Sequence, residues 1–222
     1  MKNILLLTMG IMMTSVSFAQ KHTVLIGGNI EFRKDDNTQF LTASSITKGK
    51  SHSTNLSPYV GYQLGEKLTA GATLSIQSSR QENTMDYYTG GSEIITVETM
   101  SKNKSLAIGP FIRYTEQLSD IFSVFGQLEG LYLDGKTNTA SQSRYPGMQP
   151  QPQPYTSESS STGVRFRLFP AVFINVKRNF GLNLSFGGIE YQKYGAKDAK
   201  NKPSYLAVNF GKSASIGISK NF

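Results

Sequence analysis

Between Ala214 and Phe222 the chain reads Ala-Ser-Ile-Gly-Ile-Ser-Lys-Asn-Phe, with an apolar side chain at nearly every second position. A repeat of two is the repeat of an extended strand, whose successive side chains point to opposite faces. The stretch therefore predicts a strand with one apolar and one polar face. The same alternation occurs seven more times. Val24, Ile26, Ile30 and Phe32 share one face of a strand over about Thr23 to Arg33. Further strands run through Leu56 to Leu64, Leu68 to Ile76, Leu106 to Tyr114, Phe122 to Tyr132, Val164 to Ile174, Phe180 to Phe186, and Leu206 to Phe222. Eight strands is an even number and the smallest common size of a transmembrane barrel.

The links between these strands alternate in length. Gly65-Glu66-Lys67, Glu116 to Asp120, and Lys177-Arg178-Asn179 are tight turns. The links Lys34 to Thr54, Ser79 to Asn103, Asp134 to Ser161, and Glu190 to Pro203 are long and polar, and they are expected to be four mobile loops. Three strand-turn-strand units begin near a proline, at Pro58, Pro110 and Pro170, which suggests a bulge or bend at a common level.

The amino-terminal stretch has the build of an export signal. Lys2 supplies the positive charge, Ile4 to Val16 the apolar run, and Ser17-Phe18-Ala19 a small-x-small cleavage site. Residues 1–19 are expected to be removed, leaving 20–222 as one domain. Cysteine is absent, which excludes disulfides and thiolate metal sites. Only 38% of residues are apolar, little for a globular core but ordinary for a barrel with a polar lumen. The net charge of +8 could suit nucleic acid, but an exported chain meets lipid head groups or surface polysaccharide instead.

The final strand, with Ile216, Ile218 and the terminal Phe222 on one face, resembles the sorting signal of Gram-negative outer-membrane β-barrels. Lys220 departs from the apolar or aromatic residue usual at its position. Together with the strand pattern, the whole exported chain resembles the small outer-membrane barrel family of OmpA, OmpX and OmpW type, without a periplasmic domain. The resemblance implies an all-β fold, an eight-stranded antiparallel up-and-down transmembrane barrel. It also implies insertion by the barrel-assembly machinery, contact with outer-membrane lipids and lipopolysaccharide, and a monomer without cofactor.

A soluble barrel would also alternate, with its apolar face inward. The terminal Phe222, strand lengths near or above the roughly 9–11 residues needed to span, and the second face favour the membrane. The second face carries Glu31, Arg33, Arg113, Gln127, Glu129, Arg165, Arg167, Asn183 and Asn209, which suit a polar lumen and not an apolar cavity. Glu31, Glu129, Arg165 and Arg167 are expected at one height as a lumenal charge cluster, because an eight-stranded lumen is narrow enough for side chains to cross. Below them, Tyr59, Phe111, Phe125, Phe169 and Phe173 share the inward parity and are expected to plug the lumen. Tyr62, Tyr114, Phe122, Phe180 and Phe222 form one expected aromatic girdle, and Phe32, Tyr132, Phe186 and Tyr205 the other.

Catalytic residues are scarce. His52 lies between Ser51 and Ser53 in the first long link, with Asp86, Glu93 and Glu98 as conceivable orienting acids. Serines beside a histidine in a serine-rich stretch carry little weight, and the expected function is not enzymatic. Lys193, Lys197, Lys200 and Lys202 in the fourth link are placed to meet lipopolysaccharide phosphates. The leading expectation is an envelope scaffold presenting external loops. A narrow porin-like channel and a surface adhesin are the alternatives.

Overall fold

The computed structural model describes residues 23–42, 45–88, 94–211 and 214–222, so the expected export signal, residues 1–19, lies outside the described residues. Ten strand segments follow in order: β1 (Val24–Thr42), β2 (Ser45–Gln63), β3 (Leu68–Tyr88), β4 (Ile94–Gln117), β5 (Phe122–Arg144), β6 (Tyr155–Lys177), β7 (Phe180–Ser185), β8 (Ile189–Ala196), β9 (Ser204–Val208) and β10 (Ser215–Asn221). Every pairing is antiparallel. The ring runs β1-β2-β3-β4-β5-β6-β7-β10 and closes on β1, giving an eight-stranded barrel. β8 continues the line of β7 along β6, and β9 lies on β8.

The outward face of the ring is apolar. Val60, Ile108, Ile112, Leu128 and Ile218 are each about half exposed, and Leu56, Ile76, Leu106, Phe166 and Leu168 continue the belt. An exposed apolar surface of this extent needs lipid against it. Tyr114, Phe122, Phe180 and Phe222 edge the belt at the short-turn end, and Phe32, Tyr132 and Phe186 edge it at the other. The ring is thus a transmembrane β-barrel, with tight turns at one end. At the β6–β7 turn Arg178 and Asn179 both take positive φ, 50° and 59°, the pair of left-handed residues that a two-residue type I′ hairpin requires.

Three sequence expectations are corrected. First, the stretches expected as mobile loops are mostly strand. The β3–β4 ladder runs unbroken from Leu68↔Tyr114 to Tyr88↔Ile94, and β4 is 24 residues long. About 10 residues suffice to cross a membrane as a tilted strand. The β1–β6 sheet therefore continues about 40 Å along the strands past the belt, at about 3.3 Å per residue. The Pro- and Gln-rich stretch is strand-free only over Tyr145–Pro154, where the Gln151 side chain closes the connection on the backbone of Tyr145.

Second, the fourth link contains β8, and the eighth strand is two pieces, β9 ending at Val208 and β10 beginning at Ser215. Register along β6 moves by one residue between Leu168↔Ile189 and Ala171↔Ser185, and Gly187 there takes φ 80°, a value that favours glycine. This is the one of the three proline levels that carries a bulge. At Pro58 and Pro110 the ladders skip pairs without changing register. Third, Tyr205 does not join the outer girdle. It sits on the inward face of β9, and its hydroxyl donates to Glu190 (2.8 Å) and to Gln192 (3.1 Å).

Candidate functional site

Inward side chains fill the barrel from the short-turn end upward. Leu25, Tyr59 and Phe111 form one buried cluster, and Phe125, Phe169 and Ala171 a second, with Phe173 packed against it. The Tyr59 and Phe111 rings meet edge to face at 5.8 Å. Glycine makes room for them, since a side chain at Gly61 or Gly71 would collide with the Phe111 ring. Arg113 enters between the clusters, its guanidinium carbon 4.1 Å from the Phe125 ring centre and 4.8 Å from that of Tyr59. A guanidinium gains attraction from aromatic faces in such a desolvated place.

From Arg113 a polar chain crosses the lumen. Its Nε donates to Gln127 Oε1 (2.7 Å), and Gln127 Nε2 donates to Glu129 Oε1 (2.6 Å). Arg167 Nη2 donates to Glu129 Oε2 (3.1 Å), and Arg167 Nη1 lies 3.9 Å from Glu31 Oε2. Arg33 reaches the other oxygen of Glu31 at 3.4 Å. Arg167 also lies over the Phe169 ring, 4.6 Å from its centre. Strands β4, β5, β6 and β1 are thus tied through one row of side chains.

The structure brings Glu31, Glu129 and Arg167 together and leaves Arg165 apart. Arg165 is buried, and its Nη2 donates to Ser75 Oγ (3.3 Å), which in turn donates to Asn55. Arg113 and Gln127 read as lumenal from parity, yet their place in the network follows only from the β4–β5 register, Arg113↔Gln127. Asn183, also read as lumenal from parity, makes a separate contact. It donates to the Tyr59 hydroxyl (2.9 Å) and to Ser219 (3.1 Å), binding β7 to β2 and β10.

Ile216, Ile218 and Phe222 line an apolar groove of about 720 Å³ on the outside of the β1–β10 seam, above Gly28. At the short-turn mouth a polar vestibule of about 320 Å³ includes Lys67, Glu116, Asp120 and Phe173. Lys67 Nζ donates to both Glu116 oxygens (2.7 and 2.8 Å), and the Tyr114 hydroxyl donates to the same carboxylate. The ammonium holds the Glu116 carboxyl below its ordinary range, while Glu116 raises Lys67 above its own. The carboxylate's contribution is present above its ordinary pKa and lost as pH falls through the lowered one. The lysine's is present below its ordinary pKa and lost as pH rises through the raised one. The pair therefore holds throughout the neutral range. Lys67→Met is expected to move the Glu116 titration upward, read by NMR pH titration. An unmoved titration would show that the pair does not persist in solution.

Of the fourth-link lysines, Lys202 is occupied, donating to the Thr162 carbonyl (2.9 Å) and hydroxyl (2.6 Å). Lys193 lies on the outward face of β8, and Lys197 and Lys200 are exposed around the β8–β9 turn. His52 is exposed on the outward face of β2, and alternation turns Ser51 and Ser53 to the opposite face. Asp86 accepts from Thr96, and Glu98 pairs with Arg144, so neither orients His52; Glu93 lies outside the described residues. Among the described residues no group of acids and histidines is placed to hold a metal.

No protein-family model matches the chain, and no curated protein is significantly similar to it. Solved structures with a similar course include Ail of Yersinia pestis in complex with the heparin analogue sucrose octasulfate, at 13% identity and TM-score 0.36, covering 91% of this chain and 99% of that one. The outer-membrane protein OprG of Pseudomonas aeruginosa stands at 10% identity and TM-score 0.41, covering 93% and 98%. Neisserial surface protein A stands at 14% and 0.31, covering 91% and 100%. The closed ring and its apolar belt make this chain a small eight-stranded transmembrane β-barrel.

Proposed function

We propose that the chain is a non-enzymatic integral outer-membrane protein, a closed barrel that holds a stiff β-sheet platform outside the cell. One observation carries the reading: β3, β4, β5 and β6 run on past the apolar belt as continuous, fully paired strands. A barrel built only to stabilise the envelope has no need of strands twice the span of the membrane. The lumen supports the same reading, because Phe111 and Gln127 are fully buried and lie across the path a solute would take. The scaffold reading thus gains a platform where loops were expected, and the adhesin reading gains a surface. Outer-leaflet lipids and lipopolysaccharide are the proposed surroundings, the assembly machinery the proposed route of insertion, and a monomer the proposed working form.

The test is conductance across planar bilayers, with a heat-modifiable gel shift proving that the protein is folded. Folded protein is expected to give no discrete channels. Reproducible small channels that widen in Arg167→Ala would overturn the closed scaffold and establish a solute conduit in its place.

A further inference from the structure

The outward face of the sheet just past the belt carries like charges directly opposite one another. Register places Arg80 of β3 directly against Lys102 of β4. Lys104, the next outward residue above Leu106 of the belt, stands opposite Lys136. Side chains directly opposite on neighbouring strands lie about 5 Å apart, and like charges so placed are destabilising. Neutral residues would serve the sheet better at these positions.

The acids on this face do not balance the row. Glu82 pairs with Arg80 (2.6 Å), Asp36 with Lys34 (3.3 Å) and Glu158 with Lys136 (3.7 Å). Asp134 lies below Lys136, opposite Leu106. Lys102 and Lys104, at the centre and two residues apart on one face of β4, make no ion pair among the described residues.

We propose that Lys102 and Lys104, flanked by Arg80 and Lys136, bind the phosphate groups of an anionic glycolipid in the surrounding outer leaflet. The inference rests on the membrane-barrel reading above and names a partner for it. Height selects the occupant. Leu106 is the last belt residue of β4, and Lys104 and Lys102 follow it by about 7 and 13 Å along the strand, the level of lipid head groups and not of the platform tip. Four cations on three strands match a bisphosphorylated head group better than they match one another.

The experiment reconstitutes the whole protein in zwitterionic nanodiscs doped with bisphosphorylated lipid A or with its dephosphorylated form. Glycolipid held by the purified protein is measured against ionic strength. Wild type is expected to prefer the phosphorylated form, and Lys102→Gln with Lys104→Gln to weaken that preference roughly thirtyfold. Lys48→Gln with Lys50→Gln, removing the same charge farther up β2, is expected to change it less than twofold. Equal losses in both pairs, or no preference in wild type, would overturn the proposal while leaving the closed scaffold standing. So would Lys102 and Lys104 binding a soluble sulfated glycan with no preference for the lipid phosphate. Failure of the wild type to insert would overturn the membrane reading and this inference together.

Discussion

Glu129→Ala is expected to destabilise the barrel by about 3–5 kcal/mol, the cost of removing one partner from a buried ion pair. Glu129 is 3% exposed and accepts from both Gln127 and Arg167. Its loss leaves the Gln127 amide without an acceptor and Arg167 with only Glu31, at 3.9 Å. The effect should reach Arg113 too, since Gln127 is the link between them. Urea titration in lipid vesicles, followed by gel mobility, gives the number. Arg167→Ala in the same chain should recover part of the loss, because the uncompensated guanidinium goes with it. A cost below about 1 kcal/mol would mean that water already solvates the row and that the lumen is wetter than its packing implies.

Phe111→Ala is expected to cost about 3–5 kcal/mol, the usual range for emptying a fully buried aromatic site. Gly71→Val tests the same seat from the other side. A Cβ at Gly71 lands on the Val60 carbonyl oxygen and the Gly61 Cα as well as 2.7 Å from the Phe111 ring. The ring can turn away, but the two backbone atoms cannot, so the strands themselves must part. That variant should lose more than about 3 kcal/mol or fail to fold. The comparison separates two effects that a single substitution mixes: loss of ring packing, and loss of the close approach of β2 and β3. If Gly71→Val folds normally, the ring does not rest on that approach.

The sequence made the lower half of this molecule legible and hid the upper half, for one physical reason. Alternation is visible only where the two faces differ. Along Leu68 to Ile76 one face meets lipid and the other the lumen, and the residues say so. Farther along the same strand, Ser79, Arg80, Gln81, Glu82 and Asn83 are polar on both faces, because both meet water. Such residues look like loop, yet the strands persist by main-chain pairing and by hydroxyl contacts across them, Thr99 with Ser141 and Ser101 with Thr139, each at 3.2 Å. β8 was hidden differently. Its two faces carry Tyr191 and Tyr194 on opposite sides, and Glu190, Gln192 and Lys193 blur the pattern. Tyr205 was misplaced by residue type, since its parity is opposite to that of outward Leu206. In the lumen, parity identified the charged residues and the aromatic plug. Partner choice needed the register, which left Arg165 with Ser75 and gave both glutamates to Arg167.

The length of the platform sets which field each part of it feels. At physiological ionic strength a charge is screened within about 8 Å. The tip, some 40 Å along the strands from the belt, lies several screening lengths from the leaflet even after allowing for strand tilt. Asp86 and Arg144 therefore act on whatever approaches from solution as though no membrane were there, while Lys102 and Lys104 sit inside the membrane's own potential. One sheet thus holds two electrostatically independent surfaces, so that changes in the lipid below leave the charge presented at the tip as it was.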